Sequence, residues 1–192
     1  MPYRHRELEG NAVYHLTQRG TNRMPVFHWD HDRLHYLALL EETSTRMECR
    51  IHAYCLMSNH VHLLVSAEDA LNLPRMMSRL QGMYARWFNL SRHRSGSLWE
   101  RRFHSTHVES EAHLHSSFHY LDHNPVRGRI CTRADQYEWS SHRVHAFGQD
   151  SSLIHLHDCY LDLASTAEER RNRYQTQSQQ YLEAWRQLEA NS

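Results

Sequence analysis

The chain contains no lysine: all 22 of its basic residues are arginine. Arginine's planar fork suits phosphate and guanine edges better than an ammonium group does. Total absence of lysine nevertheless reads as codon usage in a GC-rich genome more than as selection for binding. Long apolar runs are also missing, so nothing in the 192 residues reads as a bilayer span. The N-terminal Met1-Pro2-Tyr3-Arg4-His5-Arg6 leads into Glu7, not into the apolar core of a signal segment. A soluble cytoplasmic protein is expected. The four cysteines (Cys49, Cys55, Cys131, Cys159) form no C-x-x-C pair, which excludes a zinc knuckle or redox motif and leaves reduced structural thiols. Formal charge is zero, so no whole-chain field draws in a polyanion, and no internal repeat or low-complexity linker is visible.

Charge is distributed unevenly. Between Arg75 and Arg102 lie seven arginines and one acid, Glu100, with Tyr84, Trp87, Phe88 and Trp99 interleaved. Such a tract offers phosphate contacts and stacking surfaces. A solvated helix face over an aromatic core would have the same composition.

Alternation predicts a strand over 11–19, with His15 and Thr17 on the side of Val13. Asp30 is placed to cap a helix over 31–47 through Leu34, Leu37, Leu40 and Met47. Strands over 51–57 and 60–66 are separated by the hairpin-length Ser58-Asn59. A helix over 72–90 presents Leu73, Met76, Met77, Leu80, Tyr84, Trp87 and Phe88 on one face. A strand follows over 103–108. Ser110 opens a third helix that Pro125 should end near Asn124. Trp139-Ser140-Ser141 marks a short helix, and Thr166 with Glu169 caps a last helix whose seam is Tyr174, Tyr181, Trp185 and Leu188. The mixture implies an antiparallel α+β sandwich of one domain with an appended helical element.

Two short stretches carry chemistry. In Ser58-Asn59-His60-Val61-His62-Leu63-Leu64-Val65, histidines two apart on a strand share a face and can reach one ion. With 19 histidines, roughly two His-x-His matches arise by chance, and the chain holds three. His113 and His115 lie in a helix, where residues two apart diverge, and His155 and His157 sit in a weaker apolar run. In Tyr120-Leu121-Asp122-His123-Asn124-Pro125, a phenol and an amide are one helical turn apart, with Arg127 beyond. A phenol attacks only when a base or cation assists it. His60, His62 and the Asn124 carbonyl oxygen, at the negative end of the helix, make a three-ligand set suited to magnesium or manganese, although imidazoles also accept zinc. His115, His119 and His123 form a rival set or a polar stripe beside Tyr120.

The chain resembles the REP-associated tyrosine transposases of the HUH single-strand transposase superfamily, with an IS200-like domain. The resemblance rests on Tyr14-His15-Leu16-Thr17-Gln18-Arg19-Gly20 with Arg23, on Ala53 to Leu64 around His60-Val61-His62, and on Gly96-Ser97-Leu98-Trp99 with Arg101-Arg102. It continues through Tyr120 to Arg127 and Trp139-Ser140-Ser141, spanning about residues 11–148. It implies a ferredoxin-like catalytic domain over 1–150 and a C-terminal helical extension over 151–192. It implies that Tyr120 attacks single-stranded DNA, leaving a 5′-phosphotyrosine and a free 3′-OH. His60, His62 and Asn124 would bind Mg2+ or Mn2+, and the partner would be a palindromic single-stranded hairpin. A monomer acting in cis is expected in place of a homodimer. Arg19, Arg23, Arg79, Arg86, Arg101, Arg102 and Arg127 are the expected DNA contacts. Two other readings stand beside this one, a non-catalytic hairpin-binding regulator and a histidine-rich metal-binding protein.

Overall fold

The computed structural model describes residues 8–191; the N-terminal segment read above as lacking a signal lies outside the described residues. The order is β1 (Val13–Arg19), α1 (Asp30–Arg46), β2 (Cys49–Leu56), β3 (His60–Ala67), α2 (Asn72–Ser91), β4 (His104–His107), α3 (Glu111–Arg127), α4 (His142–Phe147), α5 (Asp158–Leu161) and α6 (Ala167–Ala190). The strands form one antiparallel sheet in the order β2-β3-β1-β4. A βαββαβ path with that order is the ferredoxin-like arrangement, as the family resemblance implies.

The sheet separates two cores because successive side chains on a strand point to opposite faces. Leu16, Val61, Leu63 and Val65 pack with Tyr36, Leu40, Met76, Leu80 and Tyr84 of α1 and α2. Val13, Ala53, Cys55 and Leu64 pack with Leu114, Phe118 and Leu121 of α3 and with Tyr160 and Tyr174. A bulge between Ile51 and Ala53 lets β2 serve both cores, since one extra residue reverses the alternation. The buried hydroxyl of Tyr84 donates to the Val26 carbonyl at 2.7 Å, which pins the loop after β1. That loop turns at Gly20, where a Cβ would lie 2.4 Å from the Met24 carbonyl oxygen, so only glycine fits. β2's outer edge is covered by the later chain: Leu56 N donates to Trp139 O, Ser141 N to Tyr54 O and His155 N to Ile51 O, at 2.8–3.0 Å.

Five details differ from the sequence reading. Trp29, not Asp30, occupies the cap position of α1, and the buried Asp32 carboxylate accepts from the His28 and Trp29 amides. Burial alone would raise the Asp32 pKa, but Arg92 at 2.6 Å and those two amides hold it below the usual range. The inner face of α1 is Tyr36, Leu39, Leu40 and Thr43, with Leu34 exposed, because the helix turns its aromatic position inward. α3 runs through Pro125 to Arg127. A proline there removes one amide donor, and the buried Pro125 and Val126 together with Gly128 N donating to Asn124 O outweigh that loss. The buried seam of α6 is Tyr174, Ser178 and Leu182, whereas Leu188 is exposed. Trp139-Ser140-Ser141 forms a turn bridged to Cys55, and the short helix begins at His142.

Candidate active site

On the α3 face of the sheet, register decides which side chains meet. Thr17 pairs with His62 and Arg19 with His60 across β1 and β3, while Thr17 pairs with His104 and His15 with Thr106 across β1 and β4. α3 crosses above them with Tyr120 and Asn124 turned toward the sheet. The Tyr120 ring lies 5.5 Å from the His62 ring, edge-on at 89°, and 5.8 Å from the His15 ring. The His60 and His62 rings are 4.9 Å apart and nearly perpendicular.

Hydrogen bonds assign the imidazole protons. His60 Nδ1 donates to Asn59 Oδ1 at 2.6 Å, which makes Nε2 its unprotonated nitrogen. Asn124 Nδ2 faces His62 Nε2 at 3.3 Å and donates to it. His62 Nδ1 therefore carries the proton and donates to His15 Nε2 at 2.8 Å, with Thr17 Oγ1 at 3.3 Å. Burial, then the charge of Arg19, holds the His60 pKa at about 4, although a hydrogen bond with the Asn124 side chain pulls it upward. Burial also lowers His62 well below the ordinary value, assisted by His60, His15, Arg19 and Arg127. His15 falls to about 4 through burial and then His104 and His113. Three neutral imidazoles therefore lie together at neutral pH, in the form that coordinates metal ions.

The donor set fits a divalent ion. Two unprotonated Nε2 atoms converge with an amide that presents its oxygen in place of its nitrogen on turning over. Asn124 can contribute only through its side chain, since its backbone carbonyl is taken by Gly128 and the negative end of α3 lies beyond it. Among the described residues no three His, Cys, Asp or Glu side chains are grouped to hold a metal. His60, His62 and the Asn124 amide would supply three donors, and water or phosphate would complete the shell.

The cleft holds about 660 Å³ and is lined by His15, Thr17, Arg19, His62, Arg101, Arg102, His104 and Tyr120, with Glu100 the one carboxylate among its described lining residues. Arg127 lies over the Tyr120 ring, its Cζ 4.8 Å from the centroid. Arg23 is on the loop whose carbonyl accepts from Asn59, beside His60. Arg79 and Arg86 are elsewhere: α2 packs on the opposite face of the sheet, and Arg79 is 3.9 Å from Glu42 of α1.

The remaining histidine pairs are dispersed. His113 Nδ1 accepts from the Glu109 amide, and His115 Nε2 lies 3.0 Å from Cys159 Sγ. His157 caps α5 by accepting from the Cys159 amide. His119 and His123 are buried under α6, so the stripe is a docking face for that helix and not a second metal grip. His15, Thr17 and His104 enter the site without having been singled out for it. The alternation of β1 puts His15 and Thr17 on one face, but only strand register shows that His62 shares it.

An antiparallel α+β sheet thus carries two histidines on an inner strand, facing a helix-borne tyrosine. The family model described as "Transposase IS200 like" matches residues 10–124, and the chain belongs to that family. Among solved structures, one of a REP-associated tyrosine transposase bound to a REP hairpin aligns with TM-score 0.61 at 15% identity, covering 81% of this chain and 98% of that one. A putative transposase from Deinococcus radiodurans R1 aligns with TM-score 0.44 at 22% identity, covering 59% and 91%. No curated protein matches. Among the described residues, no helix is long and apolar enough to cross a membrane.

Proposed function

We propose that this chain is a metal-dependent DNA-nicking and strand-transfer enzyme of the REP-associated branch, acting on single-stranded hairpin DNA through a 5′-phosphotyrosine intermediate. The observation that carries this reading is the placement of Tyr120 against the His60/His62 pair, with Asn124 one turn further along the same helix. The catalytic unit would be residues 1–150, with 151–192 as its helical extension.

The Tyr120 oxygen attacks the scissile phosphorus and the bond to the 3′ oxygen breaks. The phenol proton is lost and the leaving oxygen gains one, so the products are a tyrosine-linked 5′-phosphate and a free 3′-OH. Attack by a second 3′-OH reverses the step and joins strands. His60, His62 and Asn124 would hold Mg2+ or Mn2+, which when bound polarises the phosphate and stabilises its developing charge. Arg19, Arg101 and Arg102 line the cleft and would take the flanking phosphates, with Arg23 and Arg127 at its rim. Arg79 and Arg86 would meet a different part of the hairpin, since the sheet stands between them and Tyr120. The absence of all but one carboxylate from the lining suits a polyanion entering it. A monomer acting in cis suffices, because one chain brings histidines and tyrosine together.

The test is a labelled single-stranded hairpin with magnesium or manganese, run on a denaturing gel. The parent protein should form an SDS-resistant adduct. Tyr120→Phe should form none while binding the hairpin within about twofold of the parent, because one hydroxyl contributes little to a phosphate-dominated interface. An adduct with Tyr120→Phe would remove the nucleophile assignment. Binding by the parent without any adduct would leave a hairpin-binding regulator.

A further inference from the structure

The far side of α3 is connected to the cleft through one side chain. α6 lies beside α3 and runs in the same direction. Tyr174 meets Phe118, His119 and Asp122; Ser178 bonds His123; Tyr181 stacks on His123. The last contact in this series is at Arg127. Its Cζ lies 4.8 Å from the Tyr120 ring centre and 5.5 Å from that of Trp185, and its Nη1 donates to the Tyr181 hydroxyl at 3.4 Å. Trp185 is itself seated on an apolar cluster of Val126, Ala134 and Leu182, with Cys131.

Arg127 follows Tyr120 by two helical turns, so the two share a face of α3. A surface arginine ordinarily samples many rotamers, and that freedom is lost only where packing removes it. Here the guanidinium is a plate between two aromatic rings, with one N–H bonded to a phenol. The His15 and His62 rings bound Tyr120 on the sheet side. Arg127 bounds it on the other, and Tyr181 and Trp185 of α6 hold Arg127 there.

We infer that Trp185 and Tyr181 are positioning residues for the nucleophile: they hold Arg127 flat on the Tyr120 ring and so keep the phenol directed at the histidine pair. The inference rests on the reading of Tyr120 as nucleophile. It makes the C-terminal helix a part of the active site and not an accessory to it. A misplacement of about 1 Å at a reacting group costs up to about 100-fold in rate, and the phenol of an unsupported Tyr120 has room to move by that much in an open cleft.

The experiment measures single-turnover cleavage of saturating hairpin, hairpin affinity and thermal midpoint on the full chain. Trp185→Ala should slow cleavage by about 10- to 100-fold with affinity within about twofold, and Trp185→Phe, which retains a ring, should recover most of the rate. If Trp185 acts through Arg127, the double variant Arg127→Ala/Trp185→Ala should be no slower than Arg127→Ala alone, the non-additivity expected of groups working as a unit. Additive losses, or a loss in Trp185→Ala that tracks only the folded fraction, would overturn the inference. Should Trp185→Ala not fold, Tyr181→Phe keeps the ring and removes the bond to Arg127. It should slow cleavage by about 2- to 10-fold, and an unchanged rate there would overturn the inference equally. Failure of the underlying reading looks different: an adduct surviving Tyr120→Phe removes the nucleophile, whereas parental cleavage by the Trp185 and Tyr181 variants removes only their positioning role.

Discussion

Two histidine clusters lie on either side of α3, and they are built to opposite ends. His15 and His62 line an open cleft with arginines around it, and His60 lies beside His62. His119, His123, His142 and His145 are sealed beneath α6 around one buried carboxylate, Asp122. Asp122 Oδ2 accepts from His142 Nδ1 at 2.8 Å and from the Tyr174 hydroxyl at 2.6 Å. Burial alone would raise the Asp122 pKa, but the His142 charge and hydrogen bond bring it to about 2. For His142, burial opposes and Asp122 prevails, so its pKa is raised. The first cluster keeps its imidazoles neutral and available, while the second uses one as a counter-ion and the rest as packing. A carboxylate at the centre separates a cluster that stabilises from one that can bind.

That contrast can be broken by mutation. His60→Ala or His62→Ala should reduce metal-stimulated cleavage by more than about 100-fold, beyond what loss of a supporting residue does, with the thermal midpoint little changed. The control is His155→Ala/His157→Ala, which should cleave normally; loss of cleavage there would move the metal site to the wrong pair. Asp122→Ala should act in the other direction. It leaves His142 and Tyr174 without their buried partner, at a cost of about 3–5 kcal/mol, or about 6–20 °C in thermal midpoint. An unshifted midpoint would show that the sealed cluster does not hold α6.

His15→Ala sharpens the comparison inside the cleft. Removing the acceptor for His62 Nδ1 should weaken Mn2+ binding by about 10- to 100-fold, read by calorimetry, without unfolding the chain. Equal Mn2+ affinity would make His15 a lining residue only. The smallest effect is on the pH profile of stability. His119 and His52, lowered to about 4 chiefly by burial, stabilise the fold above 6.5 and lose that contribution as pH falls toward 4. The raised His142 does the reverse: its contribution is complete below 6.5 and is lost as pH rises through its folded value. The depressed Asp122 keeps its share above 3.8 and loses it toward about 2. The thermal midpoint should therefore fall between pH 6.5 and 4, and His119→Phe should flatten that fall. An unaltered slope in that variant would mean that His119 takes up its proton without opening the fold.

Much of this architecture is local and hence legible from residues alone. Val13 to Arg19 alternates, His60 to Ala67 is a buried apolar strand, α2 has one broad apolar face, and Tyr120 and Asn124 are one turn apart by spacing. What is not local escaped. The bond between His15 and His62 depends on the register of strands 47 residues apart. Pro125 reads as a stop until the burial around it is known. The spacing of His115, His119 and His123 is the same for a metal grip and for a docking face, and only the position of α6 decides between them. Arg79 and Arg86 belong to the basic tract in sequence, yet α2 carries them to the other side of the sheet from Tyr120.

The strap of chain that covers β2 has a consequence for the molecule in solution. An uncovered strand edge is a template for another chain, and proteins that leave one open aggregate through it. Between Ile51 and Leu56 the outer backbone groups are already bonded to residues 139–155, so the long edge of the sheet cannot recruit a neighbour. The opposite edge is β4, four residues long with a histidine at each end. An edge that short gives an incoming strand little to register on.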